Sequence, residues 1–321
     1  MPQKGHYTAC ACVLFDQPVE IDDVIRSLRN FDLVGRSEDP DPEAWMFSGP
    51  SLAVAYRPEV NGLVVVDAVN QPWPDNMGDP KNAKQLFGAW MLGHLGPFTF
   101  PDALSRSTQQ SWVWPGGKDV AEKQTAFVRI RVGYAFGEDA ADKPLLPDGY
   151  DAKEELRFAT NVAAALLEMP GAICYFNPSG EVLRDSSTLD DALRYADLEG
   201  IPPLDAWCNV RLANAADGWL VMDTCGNQQL DIPDIELGFK RDKGYDLSQV
   251  DGFLRNITEY LLANGEVIKD GDTMDGLGTS WTFYKRKTGI LMPPRPTLRG
   301  FPQDGNEAPA ELMLERQDPS N

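Results

Sequence analysis

The chain has 321 residues, 42% of them hydrophobic and 10% aromatic, with 49 acidic against 29 basic side chains, a formal net charge of -20 at pH 7. That apolar supply suffices for a sizeable core and excludes wholesale disorder, while the acidic excess disfavours nucleic acid and favours a basic protein partner, by attraction reaching about a Debye length, ~8 Å at physiological salt. The length suits about two domains, or one built from repeated units.

Thr8 to Phe15 reads as a strand that follows the N-terminus directly, with no long apolar segment or small-residue cleavage site before it. No stretch reaches the roughly 18 to 20 apolar residues of a membrane helix, so cytoplasmic residence without a membrane partner is expected. Ile21 to Phe31 follows as a helix, with Ile21, Val24, Ile25 and Leu28 on its apolar period. Next comes a hairpin: strand Ser51 to Tyr56, a tight Asn61-Gly62 turn, and a return strand Leu63 to Val66 ending at Asp67. A helix over Ala83 to Leu95 leads into a Pro- and Ser-rich loop ending at Ser111. Thr125 to Phe136 alternates around Arg129 and Arg131 as a half-exposed strand.

The Asp-, Pro- and Ala-rich stretch Gly137 to Gly149 is the expected boundary between halves. Beyond it the apolar stripe of Asp151 to Glu168 predicts a long helix, stopped by Met169-Pro170-Gly171. A strand, Ala172 to Phe176, and a helix, Thr188 to Asp197, then precede a second hairpin: Trp207 to Leu212, the turn Asp217-Gly218, and Trp219 to Met222 ending at Asp223. In both hairpins the turn Gly and the following Asp are five residues apart, which suggests an internal duplication of strand, helix and hairpin. Leu247 to Asn264 is a further helix, and strands are expected near Glu266 to Ile268 and at Ser280 to Lys285. The expected class is α+β, with two pseudo-repeated α/β halves, mostly antiparallel sheets and helices packed on one face. The halves run over residues 1–137 and 151–298, and residues 299–321 read as a tail without a core.

Few residues offer chemistry. The chain contains no phosphate-binding Gly-x-x-x-x-Gly-Lys-Ser/Thr loop, no Gly-x-Gly-x-x-Gly after a strand, no Gly-x-Ser-x-Gly elbow and no His-Glu-x-x-His. The five cysteines, Cys10, Cys12, Cys174, Cys208 and Cys225, sit mostly in apolar strand-like runs and read as buried reduced thiols. With only His6 and His94 beside them, zinc ligands are scarce, and no cofactor or metal is expected. His94, at a helix end among glycines and aromatics, reads as structural. Asp67 and Asp223, with Asp231, Asp234 and Glu236 nearby in sequence, provide carboxylates for acid and base work or a divalent ion; an Asp at a strand end more often accepts turn N–H groups. Trp73, Trp112 and Trp114 lie in Pro/Gly/Asp-rich surroundings and suit either partner anchors or caps on the core.

Leu204-Asp-Ala-Trp-Cys-Asn-Val-Arg-Leu, Gly218-Trp-Leu-Val-Met-Asp-Thr-Cys-Gly, Leu230-Asp-Ile-Pro-Asp-Ile-Glu and Asn264-Gly-Glu-Val-Ile-Lys-Asp-Gly together resemble an uncharacterised bacterial family. The resemblance spans roughly residues 150 to 296. Its members carry a domain of unknown function and have relatives beside toxin and type VI secretion genes. It supplies no catalytic residues and implies a non-enzymatic immunity protein that binds a basic, nuclease-like toxin and blocks it. The contact residues expected are Trp73, Asp75, Asp79, Asp231, Asp234 and Glu236. The alternative is an enzyme or metal-binding protein using a carboxylate cleft, and a third reading is a module that dimerises through exposed sheet edges.

Overall fold

A computed structural model describes residues 4–38, 49–136 and 142–314. Residues 137–141 of the expected boundary and 315–321 of the expected tail lie outside this set. Its two compact units divide after Trp207, one spanning Pro2–Trp207 and the other Cys208–Asn321. The fold is α+β, with a seven-stranded and a six-stranded sheet, both mostly antiparallel, and nine α-helices among the described residues.

The first unit comprises β1 (Ala9–Phe15), α1 (Ile21–Ser27), β2 (Leu33–Ser37), β3 (Ser51–Ala55), β4 (Leu63–Val69), α2 (Lys84–Met91), α3 (Ala103–Gln109), α4 (Val120–Lys123), β5 (Ala126–Gly133), α5 (Ala152–Leu166), β6 (Ala172–Asn177), β7 (Val182–Arg184), α6 (Ser186–Glu199) and α7 (Leu204–Trp207). Its strands are ordered β2-β3-β4-β5-β1-β6-β7, and every neighbouring pair is antiparallel. β1 and β5 are buried along their whole length, so the half-exposed reading of the Arg129 strand is corrected. α5 packs against β1 and β5 on one face. On the other, Cys10, Cys12, Leu14 and Phe127 join Trp73, Trp90, Leu95 and Leu104 in one apolar cluster.

The second unit comprises β8 (Asn209–Asn214), β9 (Trp219–Cys225), β10 (Asp234–Lys240), α8 (Leu247–Asn264), β11 (Thr273–Gly276), β12 (Thr279–Arg286), β13 (Thr297–Pro302) and α9 (Ala310–Met313). Here the order is β11-β12-β13-β10-β9-β8. β10 and β13 run parallel, and the other neighbours are antiparallel. α8 packs on β9 and β10, with Phe253 against Trp281 at 5.8 Å between ring centroids. The opposite face is covered by Ile290, Leu291 and Leu312, which pack on Trp219, Val221 and Phe301.

Several expectations change in this topology. The strand and helix before the second hairpin, β6 and α6, belong to the first unit, so the strand–helix–hairpin repeat does not describe the two sheets. The dividing point accordingly falls at Trp207 rather than in 137–149. Residues 299–314 are not a coreless tail: β13 sits inside its sheet and Leu312 is buried. The expected strand at Glu266 to Ile268 is a loop, and the edge strand lies at Thr273–Gly276. Asp217-Gly218 adopts positive φ at both residues, as its hairpin requires, whereas of Asn61-Gly62 only Asn61 does, within a longer β3–β4 loop in which Arg57 also has positive φ.

Local signals set the long helices. Asp151 caps α5, accepting from the backbone N–H of Lys153 and Glu154, and Asp246 does the same for α8 through Ser248 and Gln249. These bonds satisfy N–H groups that the first helical turn leaves without intrahelical partners. Asp151→Ala should lower the stability of the first unit by about 1 kcal/mol, read as a shift in its urea midpoint at unchanged slope.

Candidate functional site

The strand register of the second unit places four charges side by side. Arg211 on β8 stands opposite Asp223 on β9, Asp223 opposite Glu236 on β10, and Glu236 opposite Arg299 on β13. Directly opposed residues share a sheet face, so these side chains form one row across four strands. Asp234 and Arg295 flank it. All six side chains are buried, none above 3% exposed.

Burial of ions on this scale is tolerated only when their hydrogen bonds are met. Arg211 grips Asp223 with two parallel bonds, Nε to Oδ1 at 3.0 Å and Nη2 to Oδ2 at 2.6 Å. Arg295 joins from the other side, donating from Nη2 to Asp223 and from Nε to Asp234 Oδ2 at 2.9 Å. Asp234 Oδ1 also accepts from Thr224 Oγ1 and from the backbone N–H of Asn227. Arg299 Nε donates to Glu236 Oε2 at 3.0 Å, and Glu236 Oε1 accepts from the Ile290 N–H. Burial pushes the Asp234 and Glu236 carboxyls up, and Arg295 and Arg299 respectively oppose that push.

The remaining donors hold an irregular segment. Arg211 reaches the carbonyl of Met292, Arg295 those of Leu291 and Pro293, and Arg299 those of Thr288, Leu312 and Leu314. Ile290 to Pro296 contains three prolines, which lack an N–H and cannot enter a regular ladder. Its buried carbonyls therefore depend on side-chain donors, and the five N–H groups of a guanidinium supply them.

A smaller cluster lies in the first unit. Arg129 binds Asp67 through Nη2 at 2.6 Å and Nε at 3.2 Å, and Arg131 Nη2 adds a bond at 3.0 Å. Burial would raise the Asp67 carboxyl, but the two guanidinium groups outweigh it and hold it below the usual carboxylate range. Arg131 also lies over the Tyr7 ring and donates from Nη1 to His94 Nδ1 at 3.3 Å. An arginine can only donate, so His94 is neutral with its proton on Nε2. Burial, then the charges of Arg131 and Arg129, bring its pKa down to about 4.

These contacts decide what the candidate carboxylates can do. Asp67 and Asp223 do not cap turns, as strand-end aspartates usually do; each is held by two arginines. An ionised carboxylate whose lone pairs face guanidinium groups is a weak base, and burial keeps substrate away. Among the described residues no group of three or more His, Cys, Asp or Glu side chains could hold a metal ion. All five cysteines are buried, and none forms a disulfide.

The expected contact residues scatter. Trp73 is in the apolar core, edge-on to Phe127 and Phe176, while Asp234 and Glu236 are inside the charged row, so none of these three presents a side chain to a partner. Asp75 accepts from Leu104 N, Ser105 N and Ser105 Oγ at the start of α3. Asp79 and Asp231 are exposed, and Asp79 also closes a turn through the N–H groups of Lys81 and Asn82. Trp112 is 62% exposed.

Residues 223–299 match a family model described as a domain of unknown function (DUF4261). No curated protein and no solved structure matches the chain. The DUF4261 stretch begins at Asp223 and ends at Arg299, so it contains the whole charged row and its flanking pair apart from Arg211. No helix among the described residues is long and apolar enough to cross a membrane.

Arg295→Met leaves Asp234 without its cation and strips the carbonyls of Leu291, Pro293 and Thr224 of a donor, and should destabilise the second unit by about 3–5 kcal/mol in chemical denaturation followed by tryptophan fluorescence. The histidine contact makes stability depend on pH. Because the folded pKa of His94 lies below the unfolded value near 6.5, the unfolded chain takes up the proton first and stability falls as pH drops from 6.5 towards 4. Between pH 6.5 and 4.5 the His94 contribution alone should cost on the order of 2 kcal/mol, and His94→Gln should lose that contribution while keeping the smaller one of the same sign from His6, whose pKa burial and Arg131 also lower.

Proposed function

We propose that this protein acts by binding a basic protein, as an immunity protein that occupies and neutralises a bacterial toxin. The observation that carries the reading is where the charge resides. The two buried clusters set five arginines, Arg129, Arg131, Arg211, Arg295 and Arg299, against four carboxylates, Asp67, Asp223, Asp234 and Glu236. The acidic excess behind the net charge of -20 therefore lies outside them. Exposed acids such as Asp79, Asp190, Asp191, Asp197, Glu199 and Asp231 contribute to it. A field of that sign speeds encounter with a basic partner by about 10 to 1,000-fold at low salt. The same clusters weigh against the carboxylate-cleft alternative, since its leading residues are engaged with arginine. The link to toxins and type VI secretion comes from the sequence resemblance alone, and the matched domain's description carries no function.

The deciding experiment is a pull-down from the native bacterium with the tagged full chain, at low salt and at about 0.5 M salt. A single stoichiometric partner that is toxic when expressed without this protein supports the proposal. Recovery of none at either salt overturns it. With that partner in hand, Asp231→Lys and Asp79→Lys, both outside the buried clusters, should slow association several-fold at low salt and leave the rate at 0.5 M salt nearly unchanged.

A further inference from the structure

The second unit contains a groove of about 700 Å³ that its own core leaves unfilled, between α8 and the β11–β12 hairpin. Phe253, Ile257 and Tyr260 line one side, and Met274, Asp275 and Leu277 the other. Its wall is firmly placed. A Cβ on Gly276 would lie 2.5 Å from the Phe253 ring, so this glycine is what lets β11 lie directly on the helix. Trp281 Nε1 donates to the Gly276 carbonyl at 3.0 Å and ties the hairpin down.

Leu277 is the unexpected residue. It and Gly278 have φ of 55° and 78°, the pair of positive values that a tight hairpin turn demands and that Asn-Gly meets best. A branched apolar side chain in this region costs about 1–2 kcal/mol, yet here it forms part of the groove wall. Local strain retained at an apolar concavity is a mark of a binding site.

Two features specify the occupant. Among the described residues β11 is the edge strand of its sheet and pairs with β12 alone, so its outer edge offers a place for another strand. Asp275 is the one charged residue among those lining the groove, and it is exposed. We infer that this groove takes an extended basic segment of the partner. Such a segment adds a strand to β11, seats an apolar side chain between Tyr260 and Leu277, and brings a lysine or arginine to Asp275. Main-chain bonds along the edge supply affinity, and the alternation of side chains supplies selectivity. This inference rests on the partner-binding reading.

The test uses the isotope-labelled full chain and a blocked peptide of alternating Lys and Val, with a Glu and Val peptide as its counterpart, followed by amide NMR shifts. The Lys peptide should perturb residues 273–277 and 249–260. Leu277→Asn should bind it about tenfold more weakly while melting no lower than the wild type, because Asn relieves the turn strain as it removes the wall. Asp275→Lys should weaken it similarly. Undiminished binding by Leu277→Asn, perturbations elsewhere, or equal binding of the Glu peptide would overturn the inference. If the natural partner binds Leu277→Asn as tightly as the wild type, the groove is ruled out while the partner-binding reading stands. A chain that binds the Lys peptide here but captures no partner keeps the groove and loses the immunity reading.

Discussion

Asp223 is the point on which the second unit turns. It receives Arg211 from one strand neighbour and Arg295 from the segment that covers the sheet, so a single carboxylate joins β8, β9 and the irregular stretch before β13. Removing charges from water is expensive, and a buried ion pair seldom contributes more stability than a well-packed apolar group of similar size. What this row contributes is definition. Hydrophobic contacts alone do not direct the carbonyls of a proline-rich segment, whereas Arg211 and Arg295, joined through Asp223, hold those of Leu291, Met292 and Pro293 in place.

The first unit solves a related problem with fewer parts. Asp67 and its two arginines lie on a sheet face otherwise packed with Cys10, Cys12, Phe127 and Trp73, and the neutral His94 completes the shell around Arg131. In both units an aspartate on the return strand of a hairpin faces an arginine on the neighbouring strand, Asp67 to Arg129 and Asp223 to Arg211. The likeness is one of local chemistry, since the surrounding strand orders differ.

Much of the local structure was legible in the sequence. The apolar period located α5 and α8, and alternation with turn residues located β3, β4, β8 and β9. The boundary was not legible, because nothing local says that β6 pairs with β1, far upstream. β13 was missed because Arg299 and the prolines around it look like surface, and only a partner such as Glu236 makes an arginine suitable for burial. Even the short-range salt bridge was one residue out of reach. Counting outward from a two-residue Asp217-Gly218 turn pairs Arg211 with Thr224, whereas the three-residue turn Ala216–Gly218 shifts the register by one and sets Arg211 against Asp223. Asp67 and Arg129 sit on strands whose pairing spans sixty-two residues, beyond any local count. Trp73 shows the opposite error: a Pro- and Asp-rich neighbourhood suggested exposure, yet the ring is among the better-buried side chains.

The position of β13 has a consequence for how the protein is made. It lies between β10 and β12, although it is the last strand in the chain. During synthesis β8, β9 and β10 emerge with Asp223, Asp234 and Glu236, and then the β11–β12 hairpin emerges, with no sheet contact between the two groups until residues 295–302 follow. Until then the nascent unit holds three carboxylates with a single arginine facing them from β8, and although α8 can already cover β9 and β10, the six-stranded sheet stays in two pieces. Joining them awaits β13, which arrives with Arg295 and Arg299.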